Sequence, residues 1–176
     1  VNWQRLARGA VRPIARAAHF VLASDPRLAR ALRPASHYLG DHTALTRLHS
    51  GERIFVDTRD IGICSHILLE GRWEPWIEAA LRQLVKPGMR VVDGGAHVGY
   101  YTLRFASWVG PTGRVEAFEP NPGLIRRLRH SVAVNGFAER VRLHEAALLD
   151  VNGDSEFGFR HDLSGGGALA GAGERL

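Results

Sequence analysis

Trp3, Leu6, Ala7, Ala10, Val11, Ile14, Ala18 and Val21 recur at steps of three and four, with Arg5, Arg8, Arg12 and Arg16 on the opposite side. That spacing predicts an amphipathic helix, bent where Pro13 removes a backbone donor. A second helical stretch is predicted over Leu28 to Leu32, opened by Asp25 and Pro26 and closed by Pro34. From Ile54 and Val56 to Ile63, apolar and polar residues alternate between Gly51 and Gly62, which predicts a short hairpin or edge strand. Helical spacing returns in Trp76, Ile77, Ala80, Leu81, Leu84 and Val85, with Pro75 in the first turn and Pro87-Gly88 after the end.

The pattern then becomes a regular alternation of strands and helices. Arg90 to Asp93 reads as a strand running into Gly94-Gly95-Ala96-His97-Val98-Gly99, and Tyr100 to Val109 as a helix. A second strand, Arg114 to Phe118, ends in Glu119-Pro120-Asn121-Pro122. Leu124, Ile125, Leu128 and Val132 mark the next helix, with Asn121 as its cap, Pro122 as its first residue and Gly136 past its end. A third strand passes through Val141 and Leu143 to Ala146 and Ala147. Strands separated by helices require right-handed crossovers, hence a parallel β-α-β-α-β sheet of three strands. After a turn at Gly153, Glu156 to Phe159 suits a short strand, and residues 161–176 hold five glycines, which predicts a loose tail. The expected organisation is a basic helical extension over residues 1–50, an α/β domain over 51–160 and a glycine-rich tail over 161–176.

With 176 residues, 45% hydrophobic and 23% charged, the composition is that of an ordinary globular domain. Cys64 is the single cysteine, so an internal disulfide and a cysteine zinc cluster are excluded. His37, His42 and His49 lack a ligand-like spacing with carboxylates, and no metal site is expected. No apolar run approaches the roughly 20 residues that span a bilayer, and a cytoplasmic location is expected. The net charge of +5 is uneven: residues 1–50 carry eight arginines against Asp25 and Asp41, and the remainder is nearly neutral. Because Lys86 is the only lysine, the arginine bias reads as composition rather than as a phosphate-binding surface. The leader also lacks interleaved aromatics, so a nucleic-acid partner is not expected. For residues 3–22, packing on the following domain competes with a membrane-surface helix and with a cleaved transit peptide.

The candidate chemistry sits at the strand ends. Asp93, Gly95 and Gly99 have a D-x-G-x-x-x-G spacing, in which glycine permits close backbone approach. A pyrophosphate needs free N–H groups and a positive helix end, and a carboxylate immediately before the glycines repels it. Asp93 instead attracts a cationic ligand such as the sulfonium and ammonium of S-adenosylmethionine (SAM), so the sign of the charge favours SAM over NAD. Glu119, ending the second strand, suits a bidentate grip on ribose hydroxyls in either ligand. Glu145, Ala146 and Ala147, at the end of the third strand, leave room for an adenine ring. His144 and His161 lie near the expected cleft mouth and read as structural; no base is evident.

The run VVDGGAHVGYYTL from Val91 to Leu103, VEAFEPNP from Val115 to Pro122, the Asn135-Gly136 helix end and GRWEPW from Gly71 to Trp76 together resemble the FkbM family of SAM-dependent methyltransferases. The likeness runs from about Gly51 to Phe159. It implies a Rossmann-like class I methyltransferase fold in which Asp93, Gly95, Ala96, His97 and Gly99 form the methionine loop and Glu119 holds the ribose, flanked by Pro120 and Asn121. His97 stands where such proteins often carry asparagine; it keeps a donor and is not read as catalytic. Trp73 and Glu74 match the upstream pattern, and two roles stay open for them: closing over the cofactor, or packing at a helix start. The resemblance implies O-methylation of a small-molecule or sugar hydroxyl. A non-catalytic SAM- or nucleotide-binding module, a nucleic-acid methyltransferase and an NAD-dependent oxidoreductase are the alternatives. Family members continue into a fourth strand facing the substrate, so a partial methyltransferase, or one completed by a partner, is expected.

Overall fold

The computed structural model describes residues 35–150, Gly153, Phe157–Gly158, Asp162 and Ala168–Leu169. The helices expected over residues 3–22 and 28–32, and His161, lie outside the described residues. Strands β1 (His37–Gly40), β2 (Thr43–Arg47) and β3 (Arg53–Asp57) form an antiparallel sheet in that order. Strands β4 (Arg90–Gly94), β5 (Arg114–Phe118) and β6 (Val141–His144) form a parallel sheet, also in chain order. Helices α1 (Ile63–Glu70), α2 (Pro75–Leu84), α3 (Tyr100–Val109) and α4 (Pro122–Val134) complete the domain. A short antiparallel pair, β7 (Phe157–Gly158) with β8 (Ala168–Leu169), lies beyond.

Two expectations need correcting. The helical extension over residues 1–50 does not hold for 37–47, which are strands. Asp41 and His42 both have positive φ, 46° and 49°, between the paired residues Gly40 and Thr43. This is the geometry of a two-residue hairpin turn, written here as Asp-His instead of the more telling Asn-Gly. Ala44 and Thr46 then face inward on β2 and are buried. The strand expected to reach Ile63 stops at Asp57, and Ile63 opens α1 instead. Asp60 closes the intervening turn by accepting N–H bonds from Gly62 (2.8 Å) and Cys64 (3.3 Å), which stabilises the helix start.

The parallel sheet has one covered face. Asp93, Val115, Ala117 and Val141 are buried beneath the helices, whereas Arg90, Val92, Arg114 and Arg142 on the other face are exposed. α3 is the central helix, with Leu103, Phe105, Ala106, Trp108 and Val109 all in the core. Buried Arg104 is matched there by Glu52 at 2.6 Å and Glu78 at 2.9 Å. α4 is capped by Asn121, whose side chain accepts N–H bonds from Gly123 and Leu124. It also carries the antiparallel sheet, because Ser131 Oγ accepts the N–H of Phe55 and Asn135 bonds both backbone groups of Arg53.

Candidate functional site

The carboxyl ends of β4 and β5 meet at the glycine turn. Gly95 and Ala96 both donate their N–H groups to the carbonyl of Phe118 at 2.9 Å. The next N–H, that of His97, donates to Glu119 Oε2 at 2.8 Å, and Asn121 donates to Glu119 Oε1 at 2.9 Å. One carboxylate therefore fastens the turn after β4 to the turn after β5. The first three N–H groups of the turn are all engaged, two by Phe118 of β5 and one by Glu119 just past it, so they form no nest for an anion.

Backbone conformation explains the glycines. Gly95 and Gly99 have φ of 78° and 97°, and a Cβ on Gly99 would lie 2.2 Å from Leu128 Cδ1, so α4 packs directly on the turn. His97 holds φ at 54° without being glycine, a conformation in which asparagine and histidine are over-represented. Its ring reaches Asp60, Nε2 to Oδ2 at 3.6 Å, and burial pushes its pKa down while Asp60 and Asp57 oppose the shift.

Asp93 is buried and accepts a hydrogen bond from the Thr102 hydroxyl. Burial holds its carboxyl above the ordinary range, with the Thr102 bonds opposing. Glu119 is also buried and also pushed up by burial, against the N–H bonds from Asn121 and His97. Pro120 and Asn121 are half-buried, and Glu145 and Ala146 are exposed just past β6. His144 is held at Glu116 Oε2, 2.7 Å away, and stacks on Phe118 at 4.3 Å. Glu74 accepts the Tyr101 hydroxyl at 3.1 Å, and the half-buried Trp73 packs on the core beside His66. Sequence reading missed Asp60 beside His97: a lone aspartate between a strand and a helix has no signal of its own, and only the fold brings it to the turn.

The profile described as "Methyltransferase FkbM domain" matches residues 93–170. The ubiquinone/menaquinone biosynthesis C-methyltransferase UbiE of Ectopseudomonas mendocina (strain ymp) is 28% identical over 126 residues, covering 70% of this chain and 49% of that protein. The chain thus spans about half the length of the curated relative it matches. The complex of aTrm5 with tRNALeu is similar in structure, with a TM-score of 0.50 and 16% identity, over 66% of this chain and 31% of that one. TYW2 of P. horikoshii in complex with MeSAdo has a TM-score of 0.49 and 18% identity, over 72% and 49%. The fold is that of the class I SAM-dependent methyltransferases.

These findings correct two expectations. The narrower assignment to the FkbM family does not stand: its profile spans less than half of the chain, and the structural likeness is to the fold of aTrm5, a protein captured with tRNALeu. The shared Rossmann-like architecture is the level at which the assignment holds. The partner expectation, a small-molecule acceptor with nucleic acid set aside, falls as well, because a fold-level neighbour is a protein captured with tRNA. The membrane-surface alternative rested on residues 3–22, outside the described residues; among the described residues no helix is long and apolar enough to cross a membrane.

Proposed function

We propose that this chain binds SAM across the carboxyl ends of β4, β5 and β6 and serves methyl transfer from it. The observation that carries the reading is the direction of the turn's N–H groups. With Gly95 and Ala96 donating to Phe118 and His97 to Glu119, the turn presents carboxylates rather than donors, which suits a cation and repels a diphosphate. In this reading Asp93, Gly95, Ala96, His97 and Gly99 receive the methionine end. Glu119 receives the ribose hydroxyls, because each of its oxygens keeps a further lone pair beyond the N–H it accepts. Pro120 and Asn121 flank the ribose, and Glu145 and Ala146 border the adenine. When bound, SAM supplies a methyl group on a sulfonium, open to in-line displacement by a positioned nucleophile.

For the acceptor, one feature favours RNA. A groove of about 870 Å³ at the amino ends and open face of β4, β5 and β6, away from the carboxyl ends that receive the cofactor, is lined by Arg90, Arg114, Arg129, Arg140 and Arg142 against Glu116 and Glu139, an excess of positive charge suited to a phosphate backbone held outside the transfer site.

Calorimetric titration with SAM and with NAD tests the first reading. SAM is expected to bind and Glu119→Gln to weaken it roughly tenfold or more, in line with losing hydrogen bonds to a charged group; tighter binding of NAD would overturn it. Transfer of labelled methyl to total tRNA, falling steeply as salt rises, tests the second. Turnover of SAM without label in RNA would remove the RNA reading and leave the cofactor reading standing.

A further inference from the structure

Asp60, Cys64 and His97 come together from three places in the fold: the turn after β3, the first turn of α1 and the glycine turn. Each is buried, and one potential ligand atom from each lies within 4.8 Å of the other two. The carboxylate and the imidazole are 3.6 Å apart. Ligands bound to a tetrahedral zinc at about 2.0–2.3 Å stand roughly 3.5 Å from one another, so the Asp60–His97 pair already has that spacing, and the thiol lies within 4.8 Å of both.

Two of the three groups are also held in place by backbone bonds. Asp60 is oriented by the N–H groups of Gly62 and Cys64, and His97 by its left-handed backbone and its N–H bond to Glu119. Charge fits as well. A carboxylate and a thiolate together neutralise a divalent cation, with neutral imidazole as the third ligand, so the buried centre carries no net charge. A mixed sulfur, nitrogen and oxygen set selects zinc-like transition metals over magnesium or calcium.

We propose that Asp60, Cys64 and His97 form a site for one zinc-type divalent transition-metal ion, with a fourth position for water or another oxygen donor. No local spacing announces it, since Cys64 and His97 are separated by most of two helices and a strand. The ion ties the start of α1 to the glycine turn. This inference is independent of methyl transfer, and a failure of SAM binding would leave it untouched.

The test uses the full chain, stripped with a chelator under reducing conditions and titrated with Co²⁺ alone. One equivalent is expected to produce the intense visible bands of tetrahedral cobalt together with a thiolate-to-cobalt charge-transfer band, both erased by Zn²⁺. Cys64→Ser should lose the charge-transfer band. Asp60→Asn and His97→Asn, the latter chosen because asparagine tolerates positive φ, should weaken Co²⁺ binding at least about tenfold, as loss of metal-site support does. Zinc should raise the melting temperature of the wild-type chain and not that of Cys64→Ser, with folding of each variant checked by circular dichroism. A folded wild-type chain without the charge-transfer band would overturn the proposal. So would a band of unchanged affinity in folded Asp60→Asn and His97→Asn, which would mark simple binding to the thiol.

Discussion

Thr102 donates its hydroxyl hydrogen to Asp93 Oδ2 at 2.5 Å, with both side chains buried between β4 and α3. Thr102→Val keeps the shape and leaves a buried carboxylate short of a donor, at a cost of about 1–3 kcal/mol. The midpoint of urea unfolding should fall with an unchanged slope, and Thr102→Ser should recover most of the loss. Equal damage from valine and serine would show that the methyl packing, not the hydrogen bond, matters.

The carboxyls of Asp93 and Glu119 are both raised by burial, and the sign of the pH effect follows. A group raised in the folded state binds its proton more tightly there than in the unfolded chain. Its contribution to folding is therefore fully present below the unfolded value and is lost as pH rises through the folded one. Ligand binding runs the other way, because a cation needs the ionised carboxylates. SAM affinity should rise with pH as the two carboxyls ionise, and on acidification it should decline at a pH above the range of ordinary carboxylates. Calorimetry across that range checks it, and an affinity that stays flat until ordinary carboxylates titrate would contradict it.

Gly99→Ala combines two penalties, positive φ at 97° and a Cβ 2.2 Å from Leu128 Cδ1. A destabilisation of about 1–3 kcal/mol is expected. Because Leu128 is one of the two causes, Gly99→Ala with Leu128→Ala should show a favourable coupling in a double-mutant cycle, removing the clash and keeping the backbone penalty. Strict additivity would mean that α4 does not press on the turn.

Arg104→Met leaves the buried Glu52 and the half-buried Glu78 without their shared cation. Breaking a buried ionic group by removing one member costs about 3–5 kcal/mol, so the melting temperature should drop sharply. Arg104→Lys should rescue only part, since an ammonium cannot reproduce the fork that reaches both carboxylates.

The parallel half of the fold was legible because each element announces itself locally. Asn121 and Pro122 start α4 where expected, and the run from Arg90 through Gly99 reads directly as strand and turn. Of the antiparallel half only β3 was, through the alternation at Ile54 and Val56. The Asp41-His42 turn lacks glycine, β1 leaves Tyr38 and Leu39 exposed, and Ile63 to Glu70 is apolar on too many sides to show a helical stripe. In the candidate site, Asp93 and Glu119 stand out in the sequence by their places at strand ends and Gly99 by its place before a helix. That Glu119 is already engaged by two backbone N–H groups, and that Asp60 lies beside His97, are products of tertiary packing that no local pattern encodes.

The double engagement of Glu119 sets the thermodynamic character of whatever occupies the cleft. Its floor is locked before any guest arrives, so association spends little conformational entropy on ordering it, and preorganisation should appear as a fast, largely rigid-body encounter. The same shared carboxylate means that a displacement of one lip of the opening is passed to the other.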